Sequence, residues 1–238
     1  MKERFEALEH VMFHDHVAVS SDANPVAQKA HALGADALTY LLGQYSIFPR
    51  QIVDLLNTAR RSLDAWPTVQ DALVVNVEEE EGSRSGGVSH YELLKFGMLQ
   101  EYGVGIEDVA AREATHSFLG ICQGALEASD PAYVAGAIYA IEASSIGEIE
   151  IVQDLANRLS LIQNGRALPK GSQLHTFLIS HLEDFEVGHE RDLKEALTPL
   201  LGEAEQKRFD LGFREILHAM DAWWHGLNRE ADLQLIAA

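Results

Sequence analysis

The chain has 238 residues, 47% hydrophobic and 23% charged, which is long enough to bury a sizeable core and too apolar for a disordered chain. Its net charge of −19 repels phosphate backbones and excludes nucleic acid as the expected partner. A single cysteine, Cys122, excludes an intramolecular disulfide and a Cys-rich metal site. The N-terminal stretch is too charged for a signal peptide, and no apolar run nears the ~20 residues that span a bilayer, so we expect a cytoplasmic protein without membrane partners.

Helical periodicity runs through the whole text. A first helix covers about residues 2–14. Asn24-Pro25, a good N-cap and first-turn pair, opens a second that reaches Tyr45. Phe48-Pro49 begins a helix through Arg61, and Trp66-Pro67 begins another that enters Glu78–Glu81 and stops at Gly82. After the loop at 83–89, helices span about 90–102 and 106–128. Ser129-Asp130-Pro131 then starts a long helix reaching about Ser160. A polar connector, Asn164–Gly171, leads to helices over about 172–197 and 203–237, the latter carrying Trp223-Trp224. The one short alternating run, Ala72–Val77, lies inside a helical pattern. There is no internal repeat and no domain linker, so the expectation is one all-α helical bundle.

Three places set acids or histidines on apolar helix faces, where a plain core would have none. Glu142 shares a face with Ile138, Ser145, Ile146 and Ile149, whereas Glu148 and Glu150 fall off that line and read as solvated. His90 opens a face that continues through Leu93, Leu94, Gly97 and Met98. Ten residues earlier, Glu80 is the one acid of Glu78–Glu81 that turns inward, and its three neighbours read as a solvated helix end. Finally, Glu186 and His189 lie at i, i+3 beside Leu182 and Leu193, with His181 eight residues before His189 on about the same side. A carboxylate in such a setting is protonated, paired or bound to a cation. Glu-x-x-His facing another Glu and His is how helical bundles hold two iron or manganese ions, and oxygen and imidazole donors without thiolate suit those metals. Of the other histidines, His10, His14 and His16 lie in the N-terminal segment and are set aside, and His31, His116 and His175 show no acid at useful spacing. His218 and His225, with Asp221 between them, read as a solvated face. No phosphate-binding loop, dinucleotide fingerprint or serine-hydrolase elbow is present.

This order of features resembles the haem-oxygenase-like diiron oxidases and oxygenases, in the superfamily that also holds TenA, PqqC and CADD-like proteins. Tyr40–Tyr45 with Phe48-Pro49 looks like the family's second helix running into its third. Asn76–Gly82 followed by His90 resembles its N-x-x-x-E-x-G…H element. Tyr139-Ala-Ile-Glu142 is similar to the element that supplies a further Glu, and Ala219–Trp224 to the closing helix. The last element departs: the family pattern is H-x-x-x-D/E-x-x-H, but here one more residue separates His181 from Glu186, which a single π-type bulge would absorb.

The resemblance implies a haem-oxygenase-like bundle of about seven to eight helices over residues 1–238, and Glu80, His90, Glu142, His181, Glu186 and His189 as metal ligands. Asp54 on the third helix would be an extra ligand of the kind some members have. It further implies two ferrous ions per chain, with manganese as an alternative, O2 as co-substrate, and oxidation of a small amine, amino-acid or fatty-acid-like molecule near Tyr45 and Tyr139. A homodimer is the usual assembly. Two alternatives stay open: a metal-independent TenA- or PqqC-like enzyme, or a non-catalytic acidic interaction protein.

Overall fold

Asp130 starts the helix around which the rest of the protein is assembled. Its carboxylate accepts the backbone N–H of Ala132 at 3.0 Å and of Tyr133 at 3.4 Å, and Pro131 fills the first turn, where its missing N–H costs nothing. The helix then runs 34 residues and is buried nearly all round through its middle. A helix apolar on every side belongs at the centre of a fold, and this one sits there.

The computed structural model describes the backbone of residues 2–84, 86–182 and 186–237 and the side chains of 3–84, 86–182 and 188–233. Among the described residues there are ten α-helices and no strand. They are α1 (Lys2–Asp15), α2 (Ala35–Tyr45), α3 (Ile47–Ser62), α4 (Pro67–Glu80), α5 (His90–Tyr102), α6 (Glu113–Leu126), α7 (Pro131–Asn164), α8 (Gln173–Ser180), α9 (Glu186–Leu197) and α10 (Glu203–Ala237), with short 3₁₀ turns at Val17–Val19 and Ala27–Ala32. No described helix is long and apolar enough to cross a membrane.

The count exceeds seven to eight because the helical segments read along the chain already number nine and one of them is divided; two others are shorter than the sequence implies. Asn24 does cap its segment, accepting from the N–H of Val26 and Ala27, but the turns it starts are 3₁₀ and end in extended backbone at Leu33 and Gly34 before α2 begins. Residues 106–112 are not α-helical. Their backbone groups go instead to side chains on α2 and α3: Gln44 donates to Ala110 O and accepts from Arg112 N, and Arg50 donates to Glu107 O and Val109 O. A nonlocal side chain thus supplies the hydrogen bonds that helical turns would otherwise make. The helix expected over 172–197 is α8 and α9.

α7 packs along α10, and also touches α2, α3, α5, α6 and α9. The pair runs parallel, from the Asp130–Arg208 ion pair at 2.8 Å to Trp224 Nε1 donating to Glu148 at 3.1 Å. Aromatic rings fill the space beside them, with Trp223 stacked on Phe118 at 4.5 Å between centroids. His16, set aside in the sequence as part of the N-terminal segment, is buried with Nδ1 2.7 Å from Asp221, whose other oxygen accepts the N–H of Ala18. Asp221 therefore ties the N-terminal segment to α10 rather than serving a solvated face.

The α7–α10 crossing is so close that a Cβ on Gly136 would lie 1.9 Å from the carbonyl oxygen of Phe209. Gly136→Ala must push two buried helices apart, so thermal unfolding followed by circular dichroism should show a lower Tm, corresponding to a loss of about 1–3 kcal/mol. An unchanged Tm would contradict this packing.

Candidate metal centre

The last turn of α4 points Asn76 and Glu80 to the same side, because they are one helical turn apart. The chain must then reverse. It does so at Gly82, whose φ of 84° suits glycine, and where a Cβ would lie 2.4 Å from the carbonyl of Val88. Ser89 then caps α5, accepting from the N–H of Glu92 at 3.2 Å. This short return brings His90, fully buried, back against Glu80, with Nδ1 3.0 Å from Oε1.

His181 completes the group from the end of α8. Its Nδ1–H donates to the carbonyl of Phe177 at 2.6 Å, which fixes the tautomer and leaves the ring's lone pair on Nε2. That arrangement is typical of metal-binding histidines. His181 and Leu182 are in π-helical conformation, and residues 183–185, over which the extra residue before Glu186 would be absorbed, lie outside the described residues. One ligand atom from each of Glu80, His90 and His181 falls in a cluster within 4.8 Å. All three residues are buried.

A second group adjoins the first. Glu142 on α7 is 4% exposed, and its Oε2 accepts from Asn76 Nδ2 at 3.2 Å and lies 3.2 Å from His189 Nδ1. The other ring nitrogen of His189 is 2.6 Å from Glu79 Oε2. Glu80, Glu142 and His181 share one cavity of about 50 Å³, closed by Tyr45, Phe48 and Phe177.

The electrostatics follow from the donors. Burial pushes the Glu80 carboxyl up, but the His90 hydrogen bond and the charges of His90, His181 and His189 outweigh it, so its pKa is lowered overall. Burial pushes the His181 imidazole down to about 4, opposed by Glu80 and helped by His90. At neutral pH His181 is therefore an uncharged donor. Two ligand atoms held at ~2.1 Å by one ion at a right angle lie roughly 3 Å apart, the separation seen for Glu80–His90 and Glu142–His189. The donor set fits hard or borderline divalent metals.

Several expectations need correction. Asp54 is exposed on α3 and does not reach the site. Tyr45 lines the cavity, but Tyr139 does not: its hydroxyl donates to Glu9 at 2.7 Å, near Glu190, and its ring packs on Phe5, Phe209 and Phe213. One turn short of Glu142, it is turned toward α1 and α9. Glu79 is not a solvated end residue, since it holds His189. Glu148 is 1% exposed and lines the cavity, because the buried face of α7 extends beyond the Glu142 stripe to Gly147, Glu148 and Ile149, while Glu150 takes the solvent side. The side chain of Glu186 lies outside the described residues.

Over residues 3–230 the sequence matches the family described as a domain of unknown function with a solved structure, DUF3865. The chain belongs to the DUF3865 family. A CADD-like protein of unknown function from Nostoc punctiforme is 33% identical, and its crystal structure superposes with a TM-score of 0.89 over 97% of each chain. A second crystal structure of that protein gives 32% identity and 0.87, covering 97% of this chain and 95% of that one. A TenA homolog from Pseudomonas syringae shares 13% identity with a TM-score of 0.58, over 87% and 95% of the two chains, a likeness of fold. No curated protein matches. This DUF3865 chain thus has a CADD-like helical fold, and the TenA homolog shares that fold.

The buried His181 of this DUF3865 site gives a pH test in the metal-free protein. Its folded pKa is depressed, so the unfolded chain binds the proton first. Its stabilising contribution is complete above the ordinary value of 6.5 and fades as pH falls toward about 4. Unfolding free energies from urea melts should drop over that window, by up to about 3 kcal/mol from this group. His181→Gln should flatten the slope; an unchanged slope would contradict the burial of a neutral His181.

Proposed function

We propose that this chain is a non-haem metal-dependent oxidase or oxygenase that holds two iron ions and oxidises a small molecule in the adjoining cavity. The observation that carries this reading is the buried cluster of Glu80, His90 and neutral His181 opening on an apolar cavity. Glu80, His90 and His181 would hold one ion, and Glu142 and His189 the other, with Glu186 placed by its spacing to join them. When bound, a ferrous pair supplies electrons for the activation of O2 by an open coordination position.

The chain's own residues do the rest. Asn76 holds the Glu142 carboxylate through its Nδ2–H, and Phe177 O orients His181. Glu79 steadies His189 from outside the pair. Tyr45 and Phe48, both buried, keep bulk water from the cavity. Cys122 lies in the apolar interior of α6 with its thiol pushed up by burial and is not part of the cavity wall, which disfavours a thiol-based, metal-independent reaction. A purely structural role for the acids is disfavoured by cost, because a scaffold gains nothing by burying Glu80 and Glu142.

Protein purified without oxygen and loaded with ferrous iron should retain about two irons per chain and consume O2 on exposure to air. His90→Ala and Glu142→Ala should each lower the iron content to about one or less while keeping the helical circular dichroism signal. Iron content near zero in the parent protein, or variants that bind iron undiminished, would overturn the reading.

A further inference from the structure

One buried acid on the cavity wall belongs to neither metal group. Glu148 lies on α7, six residues past Glu142, and is 1% exposed. Trp224 Nε1 donates to its Oε1 at 3.1 Å, and the residue lines the same cavity as Glu80, Glu142 and His181. Trp224 is itself fully buried, with its ring 6.5 Å from that of Tyr45, so this wall is built from fixed side chains.

Among the described residues, the surroundings give Glu148 no lysine or arginine. The titratable groups that line the same cavity are Tyr45 from α2, Glu80 from α4, Glu142 on α7 itself and His181 after α8, and the Cys122 thiol on α6 is close enough to feel the Glu148 charge. Burial pushes the Glu148 carboxyl up to about 8, against the pull of the Trp224 hydrogen bond. A buried carboxyl on a cavity wall without a lysine or arginine partner is costly, and no described residue supplies one.

We propose that Glu148 is a recognition site for a basic amine on the substrate, whose apolar body lies against Phe48, Ile52 and Ile149. This rests on reading the cavity as the substrate site. The acid and the amine share one proton: a carboxylic acid with a neutral amine, or a carboxylate with an ammonium. Either form is neutral overall, so the pair enters the interior without a net charge. A substrate carboxylate at this wall would instead meet an acid with no cation from the protein beside it. Within the broad range of small substrates, the wall therefore selects amines over carboxylic acids.

The test uses the full chain, with and without ferrous iron, and two probes of matched length, n-butylamine and butyrate. Binding is followed by calorimetry and by tryptophan fluorescence, since Trp224 contacts the acid. The metal-free protein should bind the amine at least about tenfold more tightly than butyrate, and Glu148→Gln, which keeps the Trp224 hydrogen bond, should weaken the amine by about tenfold or more. Glu150→Gln, an exposed acid on the same helix, should leave it unchanged and so controls for general attraction to the acidic surface. Iron content should be the same in Glu148→Gln and the parent. No detectable amine binding, equal binding by Glu148→Gln, or butyrate binding as tightly as the amine would overturn the inference. Glu148-dependent amine binding by a chain that never retains iron would uphold this site and overturn the oxygenase.

Discussion

The cost of keeping carboxylates inside α7 governs the arrangement of the site. Glu142 and Glu148 stand in the most deeply enclosed helix of the protein, and Glu80 is brought against it from α4. Among the described residues, no lysine or arginine lines the cavity they share. The chain meets this cost with imidazoles: His90 against Glu80, and His189 between Glu142 and Glu79. Every other device nearby serves that compensation. The Gly82 reversal returns His90 to Glu80, and the Phe177 carbonyl sets the His181 tautomer.

Outside this core of polar groups, the protein is held by ordinary packing and by tethers at its ends. Trp223 and Phe118 stack where α6 meets α10, and Asp221 fastens the N-terminal segment to the same helix. A second polar layer sits between α1, α7 and α9, where Glu9 and Glu190 share Lys194 and the hydroxyl of Tyr139. Burial and these two acids push the Tyr139 phenol far up, so it is a fixed hydrogen-bond donor and not a reacting group. The layer clamps α9, which carries His189, to the centre of the fold.

Much of this was legible in the sequence, and the failures share one physical cause. Helix starts at Pro67, His90 and Pro131 are set by local capping chemistry, so they could be read directly. Glu80, His90 and Glu142 broke an apolar stripe, and the structure buries all three. Glu148 was misread because the buried face of α7 is wider there than the single apolar stripe through Glu142: Glu148 is buried while Glu150 is exposed. Glu79 and the pairing of His16 with Asp221 depend on partners far away in sequence, for which spacing carries no information. The irregular stretch at 106–112 was invisible for the same reason, since its hydrogen bonds come from Gln44 and Arg50.

Diffraction at the iron absorption edge, from crystals grown and loaded with ferrous iron without oxygen, tests the central claim most directly. Two anomalous peaks are predicted, one within bonding distance of Glu80, His90 and His181 Nε2, and the other beside Glu142 and His189. No peak in this cavity, or iron found only at the surface cluster of His16, His218 and Asp221, would contradict it.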